Sequence, residues 1–441
     1  MPLFIHIYHS DYEFNYTVSN NMVYFVVVLI IFIKIVRYIY NYVINFAING
    51  FNNSFNKNIS DDNDIKQVEA ERVKRSIIKN KKFIWEFPID YHISKRLGIN
   101  AIEEALKKIQ GETCVTFNKS TRHIRLKNGI NFKYDKDGCS SYVGKRKEEK
   151  PQSILLDDDC KTHLGAIIHE ISHTLGLNHE QSRRDRDSYI RVYRRNIEKE
   201  QRYNVAYDPW HNSQTFGISY DLSSIMHYSI FAFSSNNLST LVPLDQNYNY
   251  TIGQENDYTF NDVKLINYLY CNDTCKNDTT PLECENFSYR DPKNCSQCRC
   301  PHGFAGTNCT ILQPQSDPDK CGTHYYNATD KVSNMTKTGI MNCTFHIKAE
   351  HGGNITVTVE NVVASPPDPS KFLLCFSKMG LEIKHKIDTS VTGLCLCGVI
   401  KKTFTINSEG DEVFIMWYGK ENNHTFTLTY KEVNSTNKII K

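Results

Sequence analysis

The sequence predicts an α+β domain, then a small disulfide-held module, then an all-β sandwich. Three observations predict that order. Between residues 76 and 271, two segments with helical spacing of apolar residues alternate with short strand-like runs. Within residues 272–310, six cysteines from Cys275 to Cys309 crowd a stretch with few large apolar residues. Across residues 321–432 the chain breaks into short segments that alternate apolar and polar residues at period two. A chain of 441 residues can hold two or three domains, and a formal charge of +3 is slight for that length and calls for no nucleic-acid partner.

Residues 1–50 read as targeting material. Met22 to Ile33 is an unbroken apolar run as long as a signal-peptide core and shorter than the roughly 20 residues of a spanning helix. Lys34 and Arg37 interrupt it, and adding Tyr38 to Ile48 gives a segment that can span, so residues 22–48 also read as a membrane tether. The positive charges favour a cytoplasmic flank, against an anchor that keeps the rest outside. A start at Met22 would give an ordinary cleaved signal. Residues 51–75 are rich in Asn, Asp and Lys and cannot bury enough surface to fold alone, which suits a propeptide. Arg72-Val73-Lys74-Arg75 has the form of a dibasic convertase site, with Ser76 as the new N-terminus. Fifteen cysteines, with Asn-x-Ser/Thr sequons at Asn118, Asn327, Asn354 and Asn423, point to a disulfide-bonded glycoprotein of the secretory route, secreted outside the cell.

Ile99 to Ile109 reads as an amphipathic helix with Ile99, Ile102, Leu106 and Ile109 facing inward. Val115-Thr116-Phe117, His123 to Leu126 and Ser153 to Leu156 read as strands. His163 to Leu175 is the second helix, and it carries the chemistry. His169 and His173 stand one turn apart on one face, within reach of a single ion, with Glu170 beside the open position. Gly176 can end the helix, because a residue without Cβ enters positive φ at little cost. The chain then reverses and brings in His179. Three neutral imidazoles leave the fourth place on one zinc ion for water, which marks a catalytic site and not a closed structural one. Bound zinc lowers the pKa of such a water and polarises a carbonyl, and Glu170 stands where a general base belongs.

The extended string from His169 through Gly176 to His179 is the metzincin signature, and it predicts a methionine turn downstream. Ser224-Ile225-Met226-His227-Tyr228 meets that prediction. Glu180-Gln181-Ser182-Arg183-Arg184-Asp185-Arg186 resembles the segment that follows the zinc motif in astacins, and the likeness runs from about Ser76 to Cys271. The resemblance implies a twisted sheet above a cleft, a helical lower half and a zinc endopeptidase acting on protein or peptide substrates. It assigns zinc to His169, His173 and His179, general acid–base work to Glu170, and to Tyr228 the role of a further ligand that swings to stabilise the oxyanion. Met226 would be a packing floor, while Ser172 and His227 read as structural. In that family the amino group freed by propeptide removal is buried and pairs through water with the glutamate after the third histidine, here Glu180. The likeness also implies the bridges Cys114–Cys271 and Cys139–Cys160. One departure concerns latency: no Phe-x-Gly-Asp string precedes Ser76, so no residue is assigned to cap the zinc.

Cys300-Pro301-His302-Gly303-Phe304-Ala305-Gly306-Thr307-Asn308-Cys309 resembles the end of an EGF-like module, which implies Cys275–Cys295, Cys284–Cys298 and Cys300–Cys309 among fifteen connectivities. Beyond Cys321 the strands Ile355 to Val359, Thr403 to Ile406 and Phe426 to Tyr430 resemble a CUB domain, with Cys321–Cys343 and Cys375–Cys397 implied and Cys395 left as the odd thiol. Calcium-binding acids common in such domains are not evident. Both modules imply possible contacts with extracellular matrix. The competing function is an adhesion or matrix-binding protein whose protease domain is inactive, but decayed members lose the base or a ligand, and here Glu170 and all three histidines stand.

Overall fold

The computed structural model describes residues 77–78, 80–146, 149–208, 213–367 and 374–433. The targeting segment, the propeptide and the Arg75–Ser76 cleavage position therefore lie outside the described residues. Among those described, no helix is long and apolar enough to cross a membrane.

The first described element is a two-residue strand, β1 (Ile77–Ile78), antiparallel to Ser213–Gln214. A parallel sheet follows, built from β2 (Ile89–Ile93), β3 (Phe117–Lys119), β4 (Ile130–Tyr134) and β5 (Gln152–Leu156) in the order β3-β2-β4-β5. Between β2 and β3 runs α1 (Ile99–Glu112), whose buried stripe is Ile102, Ala105, Leu106 and Ile109. That spacing puts all four on one helical face, and each large aliphatic among them contributes about 1.5–3 kcal/mol by leaving water. Ile99 does not join them. It is 48 % exposed, because it opens the first turn, ahead of the packed stripe.

His123 to Leu126 is a loop and not a strand. The Asn131 side chain takes both backbone groups of Ile124, accepting from its N–H at 3.1 Å and donating to its carbonyl at 3.0 Å, and Leu126 points to solvent. Val115 and Thr116 likewise precede β3, although Val115 is buried. Beneath the sheet lies α2 (Leu164–Thr174), apolar on most sides: Ile167, Ile168, Ile171 and the following Leu175 share one core with Ile89, Phe132, Ile154 and the α1 stripe. A helix buried nearly all round is held by packing and not by propensity.

Below α2 the chain is mostly short 3-10 turns, with one antiparallel pair, Ile190–Val192 against Leu241–Pro243, and a closing helix, α3 (Phe260–Tyr270). A capping box starts α3: the Thr259 hydroxyl accepts from the Asp262 N–H at 3.3 Å, and the Asp262 carboxylate accepts from the Thr259 N–H at 2.8 Å. Disulfides Cys114–Cys271 and Cys139–Cys160 tie this part together.

The next module has two small ladders, Tyr289–Asp291 with Asn294–Arg299 and Phe304–Ala305 with Ile311–Leu312, and three bridges, Cys275–Cys295, Cys284–Cys298 and Cys300–Cys309. Its apolar core is small, and the crosslinks hold it together. The C-terminal part is a sandwich of two five-stranded sheets. One holds Tyr325–Ala328, Met341–Ala349, Glu412–Gly419, Leu381–Lys384 and Leu394–Leu396. The other is centred on Asn354–Val363 and Thr425–Val433. Inward residues alternate along the strands, as in Ile355, Val357 and Val359 beside Phe426, Leu428 and Tyr430 of the neighbouring strand, all within one core. Cys321–Cys343 and Cys375–Cys397 are bonded; Cys395 is free and 1 % exposed, out of reach of a thiol on another molecule. Sequon residues Asn118, Asn327 and Asn423 are exposed, with the Asn118 amide donating to Asp90 Oδ1 at 2.6 Å, and the half-buried Asn354 amide donates to the Ser408 carbonyl at 2.7 Å.

Candidate metal centre

α2 ends because Gly176 takes φ +107°, and a Cβ there would also stand 2.6 Å from an Ile78 side-chain carbon. The Gly176 N–H closes on the His173 carbonyl at 2.8 Å, and its own carbonyl accepts from the Ile78 N–H at 3.0 Å. The glycine is thus required twice, by conformation and by the strand laid against it. Past this turn His179 comes back toward the helix. One ring nitrogen from each of His169, His173 and His179 falls in a cluster whose atoms all lie within 4.8 Å of one another.

The other ring nitrogens show how the imidazoles are aimed. His169 Nδ1 donates to the Ile225 carbonyl and His173 Nδ1 to the Leu177 carbonyl, both at 2.7 Å, which leaves each Nε2 as the unprotonated ligand atom. Burial and the neighbouring His169 push the His173 pKa down to about 3, and burial with its histidine neighbours holds His179 well below the usual range. Neutral imidazoles packed this closely repel a proton and suit a cation, so the donor set fits zinc. Glu170 sits beside them, 6 % exposed, with burial raising its carboxyl pKa against the pull of His169 and Ser141. Its Oε2 has no hydrogen-bond partner among the described residues, so it is free to take a proton.

Under the histidines runs the methionine turn. Met226 is buried and its carbonyl accepts from the Glu180 N–H at 2.9 Å. The Tyr228 ring centroid stands 4.3 Å from that of His179, and Gln181 Oε1 accepts from the Tyr228 N–H at 3.0 Å. His227 is buried, bonded to the Tyr220 hydroxyl at 2.6 Å, with burial lowering its pKa to about 4; Ser172 donates back to the Ile168 carbonyl at 2.8 Å. Both are parts of the packing.

Glu180 faces inward, 4 % exposed, and burial outweighs the Arg183 charge to raise its carboxyl pKa to about 8. It accepts from Arg183 Nη1 at 2.8 Å and from the Asp221 N–H at 3.0 Å. Arg183, wholly buried, is gripped from its other side by both Asp185 carboxylate oxygens. Ile77 is fully buried and bridges to Leu177, so the chain just after Ser76 enters beside the end of α2.

Sequence reasoning missed three supports. Asp262, besides capping α3, accepts from the Ser224 hydroxyl at 2.5 Å and the Ile225 N–H at 3.1 Å, so the helix start pins the methionine turn. Thr259-x-x-Asp262 ahead of an apolar run was the available signal. Gln181 and Asp221 carry no local pattern that announces their roles.

Two imidazoles from one buried helix, a third from the turn behind it and a methionine turn beneath make up the metzincin arrangement. The family model for Astacin, a peptidase family, matches residues 77–271. The zinc metalloproteinase nas-29 of Caenorhabditis elegans is 30% identical over 389 residues, covering 85% of this chain and 70% of that protein. Its counterpart nas-34 is 32% identical over 366 residues, 82% of this chain and 58% of that protein. The chain thus spans little more than half the length of nas-34, and 65% of the related nas-23. Among solved structures, high choriolytic enzyme 1, a hatching enzyme zinc-protease from Oryzias latipes, is 31% identical over 44% of this chain and 98% of its own, with a TM-score of 0.40. The chain belongs to the astacin family of peptidases.

Proposed function

We propose that the chain is a zinc-dependent endopeptidase that hydrolyses peptide bonds in extracellular proteins. The observation that carries the reading is the convergence of three imidazole nitrogens, that of His173 buried and those of His169 and His179 half-buried, beside a Glu170 carboxylate oxygen with no hydrogen-bond partner among the described residues. Zinc held by His169, His173 and His179, one ion per chain, would supply an acidified water and Lewis acidity toward a scissile carbonyl. Glu170 takes the water's proton during attack and passes it to the leaving amine, a task suited to a carboxyl whose pKa is raised by burial. The Tyr228 hydroxyl, kept protonated by burial, donates to the carbonyl oxygen as it gains charge. The expected result is that the purified chain hydrolyses a denatured protein, that a zinc chelator abolishes this, and that added zinc restores it. Hydrolysis unaffected by chelation would refute the reading.

The same reading includes activation. A convertase cut after Arg75 frees Ser76, and burial of Ile77 against Leu177 together with the inward Glu180 carboxylate supports an N-terminus docked beside the end of α2. Arg75→Ala should leave the secreted chain uncut, shown by sequencing its N-terminus, with hydrolysis reduced at least about tenfold, as for loss of one charge-assisted contact. An uncut form as active as the cut one would remove the zymogen step. Secretion itself, glycosylation at the exposed Asn118, Asn327 and Asn423, and matrix contacts through the EGF-like and CUB-like modules belong to this proposal. They rest on the disulfides and sequons.

A further inference from the structure

Asp221 lies on the loop that leads into the methionine turn and is 1 % exposed. No lysine, arginine or histidine forms an ion pair with it among the described residues. Its carboxylate is satisfied instead by three donors. Oδ1 accepts from the Ser223 N–H at 3.0 Å, while Oδ2 accepts from the Thr392 N–H at 3.2 Å and the Thr392 hydroxyl at 3.0 Å. Thr392 belongs to the C-terminal sandwich, in the turn between its strands Leu381–Lys384 and Leu394–Leu396, and is itself buried. A buried carboxylate is tolerated only while its acceptors are filled, and two of this group's three donors come from another module. Burial also pushes its pKa up to about 6, in keeping with a poorly solvated charge.

The contact is not isolated. Thr251 Oγ1 accepts from the Cys395 N–H at 3.1 Å, and the Cys375 N–H donates to the Tyr250 carbonyl at 2.7 Å. Leu222, Tyr248 and Ile252 of the peptidase lower half lie in the same continuous buried cluster as Leu381, Ile383 and Leu394 of the sandwich. From the other side of the Asp221 residue, its N–H reaches Glu180 Oε1 at 3.0 Å. Glu180 follows His179 directly, and its own N–H is fixed on Met226.

We propose that Asp221 is a positioning residue through which the C-terminal sandwich holds the metal centre. Thr392 fixes the Asp221 carboxylate, the Asp221 N–H fixes Glu180, and Glu180 holds the backbone that presents His179. The sandwich is then part of the catalytic unit as well as a binding module. The inference rests on the zinc endopeptidase reading, because the site it steadies is the one that reading assigns.

The test uses the full-length, activated chain with Thr392→Val, which keeps the shape and the N–H but loses the hydroxyl, and Thr392→Ser, which restores the hydroxyl. Two quantities are read: kcat and KM on a peptide substrate, and the rate of zinc release to a chromogenic chelator. Thr392→Val is expected to lower kcat about tenfold with KM within about twofold, and to speed zinc release about tenfold, the size of one hydrogen bond to a charged group. Thr392→Ser should return both to near the wild-type values. Wild-type kcat and zinc release in Thr392→Val would overturn the proposal. Equal losses in both variants, together with a lowered thermal midpoint, would also overturn it, by showing a contact that only stabilises the fold. If the wild type cleaves no substrate, the endopeptidase reading fails by itself, and the zinc-release rates still decide whether Thr392 steadies the site.

Discussion

Glu170→Gln is expected to lower turnover by about 10⁴-fold, the upper end of what a positioned acid–base group supplies, with zinc content near one per chain. Glu170 is carried by the same buried helix as His169 and His173, but nothing in the ligand cluster depends on it. Its Oε2 has no partner among the described residues, so an amide of the same size fits without leaving another group unpaired. What the amide cannot do is take a proton. Metal analysis and activity on one peptide substrate, run on the same preparation, separate the two effects. Activity within a few-fold of wild type would mean that another group is the base; loss of zinc along with activity would mean that Glu170 supports the ligands.

How much of this was legible in the sequence depends on how local the cause is. The zinc helix and its ligands were legible because His169, Glu170 and His173 share one helical face and Gly176 stops that helix, all within one short stretch. The α1 stripe could be read from its spacing, yet Ile99 fell outside it, because periodicity does not say where a helix runs past its neighbours. Ile89–Ile93 and Ile130–Tyr134 form the centre of the sheet, and neither is among the strands expected from the sequence. Ile89-Asp-Tyr-His-Ile93 alternates cleanly, with burial falling on its first, third and fifth residues, and that signal was available. His123 to Leu126 looked like a strand, but Asn131 had already taken Ile124's backbone groups, a side-chain contact that no period reveals.

Supports that join distant segments were illegible for the same reason. Asp221 is an ordinary loop aspartate in sequence; its meaning comes from Glu180 and Thr392, one in the peptidase part and one in the sandwich. Asp262 sits in a readable capping box, but its second task, holding Ser224 and Ile225, appears only once α3 is folded under the methionine turn. A His302 imidazole from the EGF-like module likewise meets the buried Glu382 of the sandwich at 2.7 Å. Burial works against that charge, yet His302, Lys384 and the Gly393 N–H together outweigh it and hold the Glu382 pKa down at about 2. Modules that read as separate beads in sequence are therefore fastened by buried polar groups.

Tyr228→Phe is expected to lower kcat roughly 10²–10³-fold while KM changes little, as for loss of a single donor to a developing oxyanion. The ring is already fixed without its hydroxyl: it lies 4.3 Å from the His179 ring and 5.2 Å from that of Phe233 between centroids, and Gln181 holds its backbone at 3.0 Å. Phenylalanine keeps all of those contacts, so the substitution isolates the O–H. Burial, with the Glu170 charge nearby, raises the phenol pKa, so the group remains a donor through the working pH range. Zinc content should not change, since His169, His173 and His179 form the ligand cluster without it. If instead KM rises with kcat intact, Tyr228 packs against substrate and takes no part in stabilising charge. A loss of zinc with the hydroxyl would make Tyr228 a ligand whose absence opens the site, and the expected kcat effect would then vanish when free zinc is raised.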